Sequence, residues 1–271
     1  MIRSDYHVHS DFSGDSQAPM ELMIEQGIKL GLKQLCFTDH IDFDYPKPGN
    51  TEFTFSLDQY TNKLNELKVR YSKQIEVLTG VELGLRADQL ERLTSFTAKY
   101  PFDFVIGSSH VAEGIDPYYP EFWSGHSPKE GMTKYFKSIT TNSNLFHNFN
   151  IYGHLDYAIR YAPAPQGTKA DYSYSDYSDV IDEMLHAIIS NGKGIEINTS
   201  GYKYGLGFAH PKVELLKRYL ELGGEILTIG SDAHKPEHLC YEFSLVPELL
   251  KNLGYRYYTT FVGGKPVFEK L

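Results

Sequence analysis

Short apolar runs recur along the chain, and each is followed by a longer stretch with helical apolar spacing. Seven runs read as strands: 2–8, 34–38, 75–81, 102–106, 151–154, 194–197 and 225–229. Between the first two, residues 19–30 place Met20, Met23, Ile24, Ile28 and Leu30 on one side, and the pattern closes at Gly31, a C-terminal helix signal. Stretches 57–71 and 87–99 repeat that pattern. The stretch 177–190 follows a Ser/Asp cluster suited to an N-cap, and 211–222 ends on Gly223-Gly224. Alternation of this kind predicts a parallel sheet covered by helices. Beyond it, 255–262 and 266–269 flank Gly263-Gly264 and predict either a terminal hairpin or an extra strand.

At 271 residues, the chain has the usual size of a βα-barrel. No linker, repeat or low-complexity tract divides it, so residues 1–271 are expected to form one domain. Segments 42–55, 111–131 and 161–178 are rich in Pro, Gly and aromatic residues and read as long loops, which in compact domains commonly serve as lids or binding loops.

The net charge of −9 argues against a protein that tracks nucleic-acid phosphates. Cys36 and Cys240, the two cysteines, are too few for a disulfide framework or a thiolate zinc site. No apolar run approaches the ~18 residues of a membrane span. The first ten residues carry charge and histidine where a signal peptide needs an apolar region. The expectation is a soluble, cytoplasmic protein that engages neither membrane nor nucleic acid.

What ends each run changes the picture. The first ends in His7-Val8-His9, the second enters Thr38-Asp39-His40, and the third reaches Glu82. The fourth leads to Ser109-His110, the fifth to His154, the sixth carries Glu196 and Asn198, and the seventh enters Asp232-Ala233-His234. In a parallel barrel all these ends point to one mouth. Imidazole and carboxylate suit zinc, iron or manganese without any thiolate. Residues i and i+2 on a strand share a face, so His7 and His9 can chelate one ion, and a carboxylate such as Glu82 can bridge two. A lone histidine at a strand end is more often structural than a ligand; six of 11 histidines at five strand ends point to a metal site. The other five, His126, His147, His186, His210 and His238, read as surface or packing residues, with His210 the strongest exception because it follows the sixth strand.

These residues resemble the polymerase and histidinol phosphatase (PHP) superfamily of metal-dependent phosphoesterases. The stretch Asp5-Tyr6-His7-Val8-His9-Ser10 is similar to its first motif, and Thr38-Asp39-His40, Gly80-Val81-Glu82, Ser109-His110 and Ser231-Asp232-Ala233-His234 follow in order. Phe12-Ser13-Gly14-Asp15-Ser16, the run from Cys36 through Asp42 to Asp44, Gly153-His154-Leu155-Asp156 and the run from Glu196 to Gly201 resemble the histidinol-phosphate phosphatase branch. The resemblance implies an α/β fold, a distorted (β/α)7 TIM-like barrel. It implies three divalent ions, of zinc, iron or manganese: one on His7, His9, Glu82 and Asp232, one on Glu82, His110 and His154, and one on Asp15, His40 and His234. Many relatives carry His where this chain has Asp15.

The resemblance also implies hydrolysis of a phosphate monoester, L-histidinol phosphate, to L-histidinol and phosphate in histidine biosynthesis. The nucleophile would be a hydroxide bridging two ions, with Asp232 orienting it or taking its proton. A dianionic substrate calls for cations, and Arg160 and Lys203 are the candidates; relatives often have Arg near Lys203. Glu113, Asp116 and Trp123 are candidates for the other end of the substrate. Alternatives are another small phosphate monoester or phosphotyrosine as substrate, a nuclease or polymerase-associated module, and a metal-binding protein without catalysis.

Overall fold

The computed structural model describes residues 2–46 and 53–271. Its main sheet is built from β1 (Ser4–Val8), β2 (Gln34–Phe37), β3 (His40–Ile41), β4 (Glu76–Gly84), β5 (Phe104–Ser108), β6 (Ile151–Tyr152), β7 (Gly194–Asn198) and β8 (Leu227–Gly230). Seven of these lie side by side in chain order, every pairing parallel, and short β3 extends the sheet by pairing with β4 past the end of β2. The sheet curls until its edges meet: His9 N–H reaches Ala233 O at 2.9 Å and Asp232 N–H reaches His7 O at 2.8 Å. The result is the expected seven-stranded, nearly closed barrel.

Helices cover the outside because each presents one apolar stripe. These are α1 (Met20–Leu30), α2 (Leu57–Tyr71), α3 (Leu90–Thr97), α4 (Pro128–Leu145), α5 (Ser178–Ser190), the single turn α6 (Ser200–Lys203), α7 (Val213–Glu221) and α8 (Val246–Leu253). On α2, for example, Tyr60, Leu64, Leu67 and Tyr71 fall at helical spacing and are buried. Inside the barrel, Tyr6, Cys36, Leu78, Phe104, Ile106 and Ile151 pack with Phe261. Phe261 belongs to the terminal hairpin of β9 (Tyr257–Val262) and β10 (Lys265–Lys270), which is antiparallel and turns through Gly263 and Gly264 at φ 54° and 74°. Tyr6 hydroxyl donates to Phe261 O (3.0 Å) and accepts from Phe261 N–H (2.9 Å), so the hairpin plugs the barrel rather than adding a strand to it. Polar chemistry is thereby confined to the other mouth.

Several elements depart from the pattern. The long α4 was not expected, and it begins inside the stretch read as a loop; Ser127 and Glu130 form a reciprocal capping box with Pro128 at the first turn. The helix α8 was not expected either. The stretch 87–99 opens with a 3₁₀ turn before α3. No side chain of the Ser/Asp cluster caps α5, whose N-cap is Tyr177. Of loop 42–55, residues 47–52 lie outside the described residues. No helix among the described residues is long and apolar enough to cross a membrane.

Candidate metal centre

The C-terminal ends of the strands form the mouth of a cavity of about 720 Å³, and all nine sequence-predicted ligand residues converge there. Glu82 is the hub. It sits on β4 facing inward, fully buried, with its two oxygens turned to different groups. Oε2 lies 3.1 Å from His7 Nε2, 3.4 Å from His9 Nε2 and 3.2 Å from His40 Nδ1. Oε1 lies 3.1 Å from His110 Nε2 and 2.9 Å from His154 Nε2.

Asp232 takes up its position in the left-handed region at φ 53°, where its carboxylate splits its contacts. Its Oδ1 stands 3.5 Å from His9 Nε2 and 3.5 Å from His234 Nδ1, while Oδ2 faces Arg160, Asn198 and Ser200. At the outer rim, Asp15 Oδ2 lies 3.2 Å from His234 Nε2 and 3.8 Å from His40 Nε2. The rings of His40 and His234 each stack against His9, at 4.3 and 4.1 Å between centroids.

Further side chains aim the imidazoles. Glu196 on β7 takes His7 Nδ1 at 2.9 Å and the backbone N–H of His154 at 2.8 Å, which leaves His7 Nε2 for the centre. Ser13 holds His9 Nδ1 (3.0 Å) and donates to buried Asp39 (2.7 Å). Asp42 takes His110 Nδ1 at 2.7 Å, and the carbonyl of Asp232 takes His234 Nδ1 at 3.1 Å. Strand six pointed to Glu196; Asp42 stood only within the branch-like run and its role was missed, although it lies two positions past His40, on the same face of β3 and its continuation.

The electrostatics fit bound cations. Burial alone pushes Glu82 and Asp232 up, but the surrounding imidazoles (with His7 foremost) hold both carboxyls well below the usual range. Burial lowers the His9 imidazole, and His234 and His40 lower it further, so it stays a neutral donor ligand. Among the described residues, the buried His9 Nε2, His40 Nδ1, His154 Nδ1 and Asp42 Oδ2 have no hydrogen-bond partner, which is costly in a dry interior and suits divalent ions that accept imidazole and carboxylate together. The groups His7–His9–Glu82 and Glu82–His110–His154 each bring their ligand atoms within 4.8 Å of one another.

Comparison with known proteins agrees with this geometry. The sequence profile described as the PHP domain matches residues 5–200. The chain belongs to the PHP domain family. Asp232 and His234 lie beyond the matched segment, and the fold of this PHP domain brings them to its other ligands. The histidinol-phosphatase of Lactococcus lactis subsp. lactis is 31% identical, with 98% of this chain and 96% of that one covered. The probable histidinol-phosphatase of Clostridium acetobutylicum is 36% identical, with 92% of each chain covered. The crystal structure of the L. lactis histidinol phosphate phosphatase complexed with zinc, L-histidinol and phosphate superimposes with a TM-score of 0.89, covering 98% of each chain at 30% identity.

The PHP domain carries both expected cations into the cavity. Arg160 packs against the rings of Tyr157 and Tyr204, at 5.2 and 4.3 Å to their centroids, and reaches Asp232 Oδ2 at 3.4 Å. Lys203 donates to Asp232 O at 3.2 Å, and burial lowers its amine pKa. The three residues considered for the far end of the substrate part company. Asp116 lines the cavity, 3% exposed, and accepts from Tyr45 hydroxyl, from Tyr157 hydroxyl (3.2 Å) and from Tyr118 N–H (2.7 Å). Glu113 instead pairs with Lys134 at the surface, and the Trp123 indole is buried against Phe122 and donates to Pro117 O; neither lines the cavity. Of the five histidines set aside, His147 and His186 are exposed. His238 lines the cavity rim, and His210 is fully buried behind Arg160.

Proposed function

We propose that this PHP domain is a metal-dependent phosphomonoester hydrolase that converts L-histidinol phosphate and water to L-histidinol and phosphate, a step of histidine biosynthesis. The observation that carries this reading is the polarity of the cavity. Arg160 and Lys203 both contact Asp232 of the histidine–carboxylate cluster, and the same cavity is lined by buried Asp116 among Tyr45, Tyr118, Tyr119 and Tyr157. A substrate with a dianionic phosphate at one end and a cationic amine with an aromatic ring at the other matches both. The named relatives and the solved structure with L-histidinol and phosphate support the same substrate. The two free cysteines suit a reducing compartment, and the cytoplasm is the proposed site of action.

His7, His9, Glu82 and Asp232 would hold one ion, Glu82, His110 and His154 a second, and Asp15, His40 and His234 a third, with zinc, iron and manganese all suited to these donors. Bound there, such ions supply Lewis-acid charge to the phosphoryl oxygens and lower the pKa of a water nucleophile. The chain does the rest. Arg160 and Lys203 draw the phosphoryl group in and neutralise its growing charge. Asp232, its Oδ2 anchored by Arg160 and Ser200, keeps Oδ1 turned inward to orient the attacking water and hold its proton. The tyrosine ring around Asp116 excludes solvent from the leaving group. Among the described residues the cavity lining holds no serine, threonine or cysteine, which supports a direct in-line transfer of the phosphoryl group to water.

The test is initial-rate hydrolysis of L-histidinol phosphate beside a tyrosine phosphate, a nucleoside monophosphate and single-stranded DNA, before and after chelation and metal add-back. The expected result is a kcat/KM for histidinol phosphate at least ~10²-fold above the others, lost on chelation and restored by metal. A higher rate on another ester would keep the metal phosphatase and overturn the substrate.

A further inference from the structure

The buried His210 has a partner on each ring nitrogen, and together they settle its protonation state by geometry. Arg160 Nε lies 2.8 Å from His210 Nε2. An arginine N–H can only donate, so Nε2 must carry the lone pair and Nδ1 the proton. Nδ1 in turn lies 2.5 Å from Asp156 Oδ1. The other oxygen of Asp156 is itself saturated, accepting Tyr172 hydroxyl at 2.6 Å and the backbone N–H of Lys212 at 2.9 Å. Asp156 and His210 are both fully buried, and His210 is pinned by paired backbone hydrogen bonds to Asn198 on β7 (2.7 and 2.8 Å).

This chain of contacts decides which face of Arg160 meets the cavity. Nε is tied back to His210, and Nη2 is spent on Ser200 Oγ (2.5 Å) and Asp232 Oδ2 (3.4 Å). Among the described residues Nη1 has no hydrogen-bond acceptor, and Arg160 lines the cavity. Tyr157 and Tyr204 both lie against the guanidinium and restrict its movement. An arginine held this way presents one pre-oriented pair of N–H donors and loses little entropy when an anion arrives.

We propose that Asp156 and His210 form a positioning relay: the carboxylate fixes the imidazole tautomer, and the imidazole holds Arg160 with Nη1 aimed at the phosphoryl group. Neither residue touches substrate. The inference rests on the reading that Arg160 binds phosphate at this site. Asp156→Asn probes it sharply. The Lys212 N–H obliges the amide oxygen to occupy the Oδ2 position, so the amide NH2 faces His210 Nδ1. That forces the proton onto Nε2, where it opposes the Arg160 Nε–H.

The experiment measures dissociation constants for inorganic phosphate and for L-histidinol separately, by calorimetry on the metal-loaded protein. The set is wild type, R160A, D156N, H210A, H210Q and the double variants D156N/R160A and H210Q/R160A, each with its Tm. Expected are a roughly tenfold or greater weakening of phosphate in D156N and H210A, unchanged histidinol affinity, and partial recovery in H210Q, whose amide oxygen can still accept from Nε. Without Arg160, D156N should add nothing. If wild type binds no phosphate, or R160A binds it as tightly, the functional reading of the site fails. If R160A weakens phosphate but D156N does not, or if D156N costs the same with Arg160 absent, the relay is overturned. H210Q and D156N keep the decision open to experiment should H210A fail to fold.

Discussion

Asp116→Asn separates recognition of the organic half of the substrate from the chemistry at phosphorus. The carboxylate is buried in the cavity that Arg160 also lines, and burial raises its pKa while the Tyr45 hydroxyl and the Tyr118 N–H counter that rise. It is therefore a charge held in a poorly solvated place, relieved when an ammonium group docks against it. Asparagine keeps the volume and can still accept from Tyr118 N–H and one tyrosine hydroxyl, so the loop should stay folded. What it loses is the charged member of a charge-assisted hydrogen bond, a net contribution of about 1.5–3 kcal/mol. At about 1.4 kcal/mol per decade this is a 10- to 150-fold fall in kcat/KM for L-histidinol phosphate. The amine is remote from phosphorus and is held equally in ground and transition states, so the fall should appear in KM, with kcat little changed. The assay is steady-state hydrolysis of histidinol phosphate beside phenyl phosphate, which has an aromatic ring and no cation. Phenyl phosphate should change by no more than about twofold, within the range of a neutral surface substitution. A parallel fall on both substrates, or no fall on either, would refute the assignment of Asp116 as the cation subsite.

Other substitutions test the remaining layers. Glu82→Gln removes the negative charge that five histidines surround, and it should lower bound metal per chain, read by elemental analysis, and cut kcat by at least ~10³-fold. Glu196→Gln weakens the carboxylate that aims His7, and a 10- to 100-fold loss of metal affinity in a chelator competition is expected; unchanged affinity would show that His7 needs no such anchor. Gly80→Ala places a methyl carbon 2.7 Å from Cys36 Sγ and 2.8 Å from the Phe37 carbonyl inside the barrel. It should cost about 1–3 kcal/mol, seen as a Tm lowered by roughly 3–10 °C.

The sequence showed most of the barrel because its strands are short apolar runs with a chemical marker at each end. Seven runs map onto seven strands, and the marker residues fall together because parallel strands share one exit. Helix α4 was less visible, since its start, Ser127-Pro128-Lys129-Glu130, closes a stretch dominated by Pro, Gly and aromatic residues. The capping box there was a local signal that outweighs loop-like composition. In α5 the opposite held: a Ser/Asp cluster looked like a cap, yet the chain enters through a 3₁₀ turn and caps on Tyr177. Residues acting through another side chain were the hardest to read. Asp42 stands two positions past His40 and His210 follows the sixth strand, but neither place names a role, and their roles appear only when β3 and the segment before α7 are folded against His110 and Arg160.

That difference has a physical origin. A metal-binding side chain must offer a particular donor atom near the strand end, and this restricts residue type and position to a pattern one can read along the chain. A positioning side chain has only to satisfy the far side of a ligand or an arginine, and any acceptor reaching from any element can do so. Glu196 serves His7 from β7, two strands away across β8, Ser13 serves His9 from a loop four residues on, and Asp156 serves Arg160 through His210 from a turn. The cavity rim is freer still, because Asp116 and its tyrosines need only face the mouth. A PHP domain can therefore keep one metal cluster while its rim selects the ester, and substrate preference in this chain should follow Asp116 and its tyrosines more closely than any of the nine cluster residues.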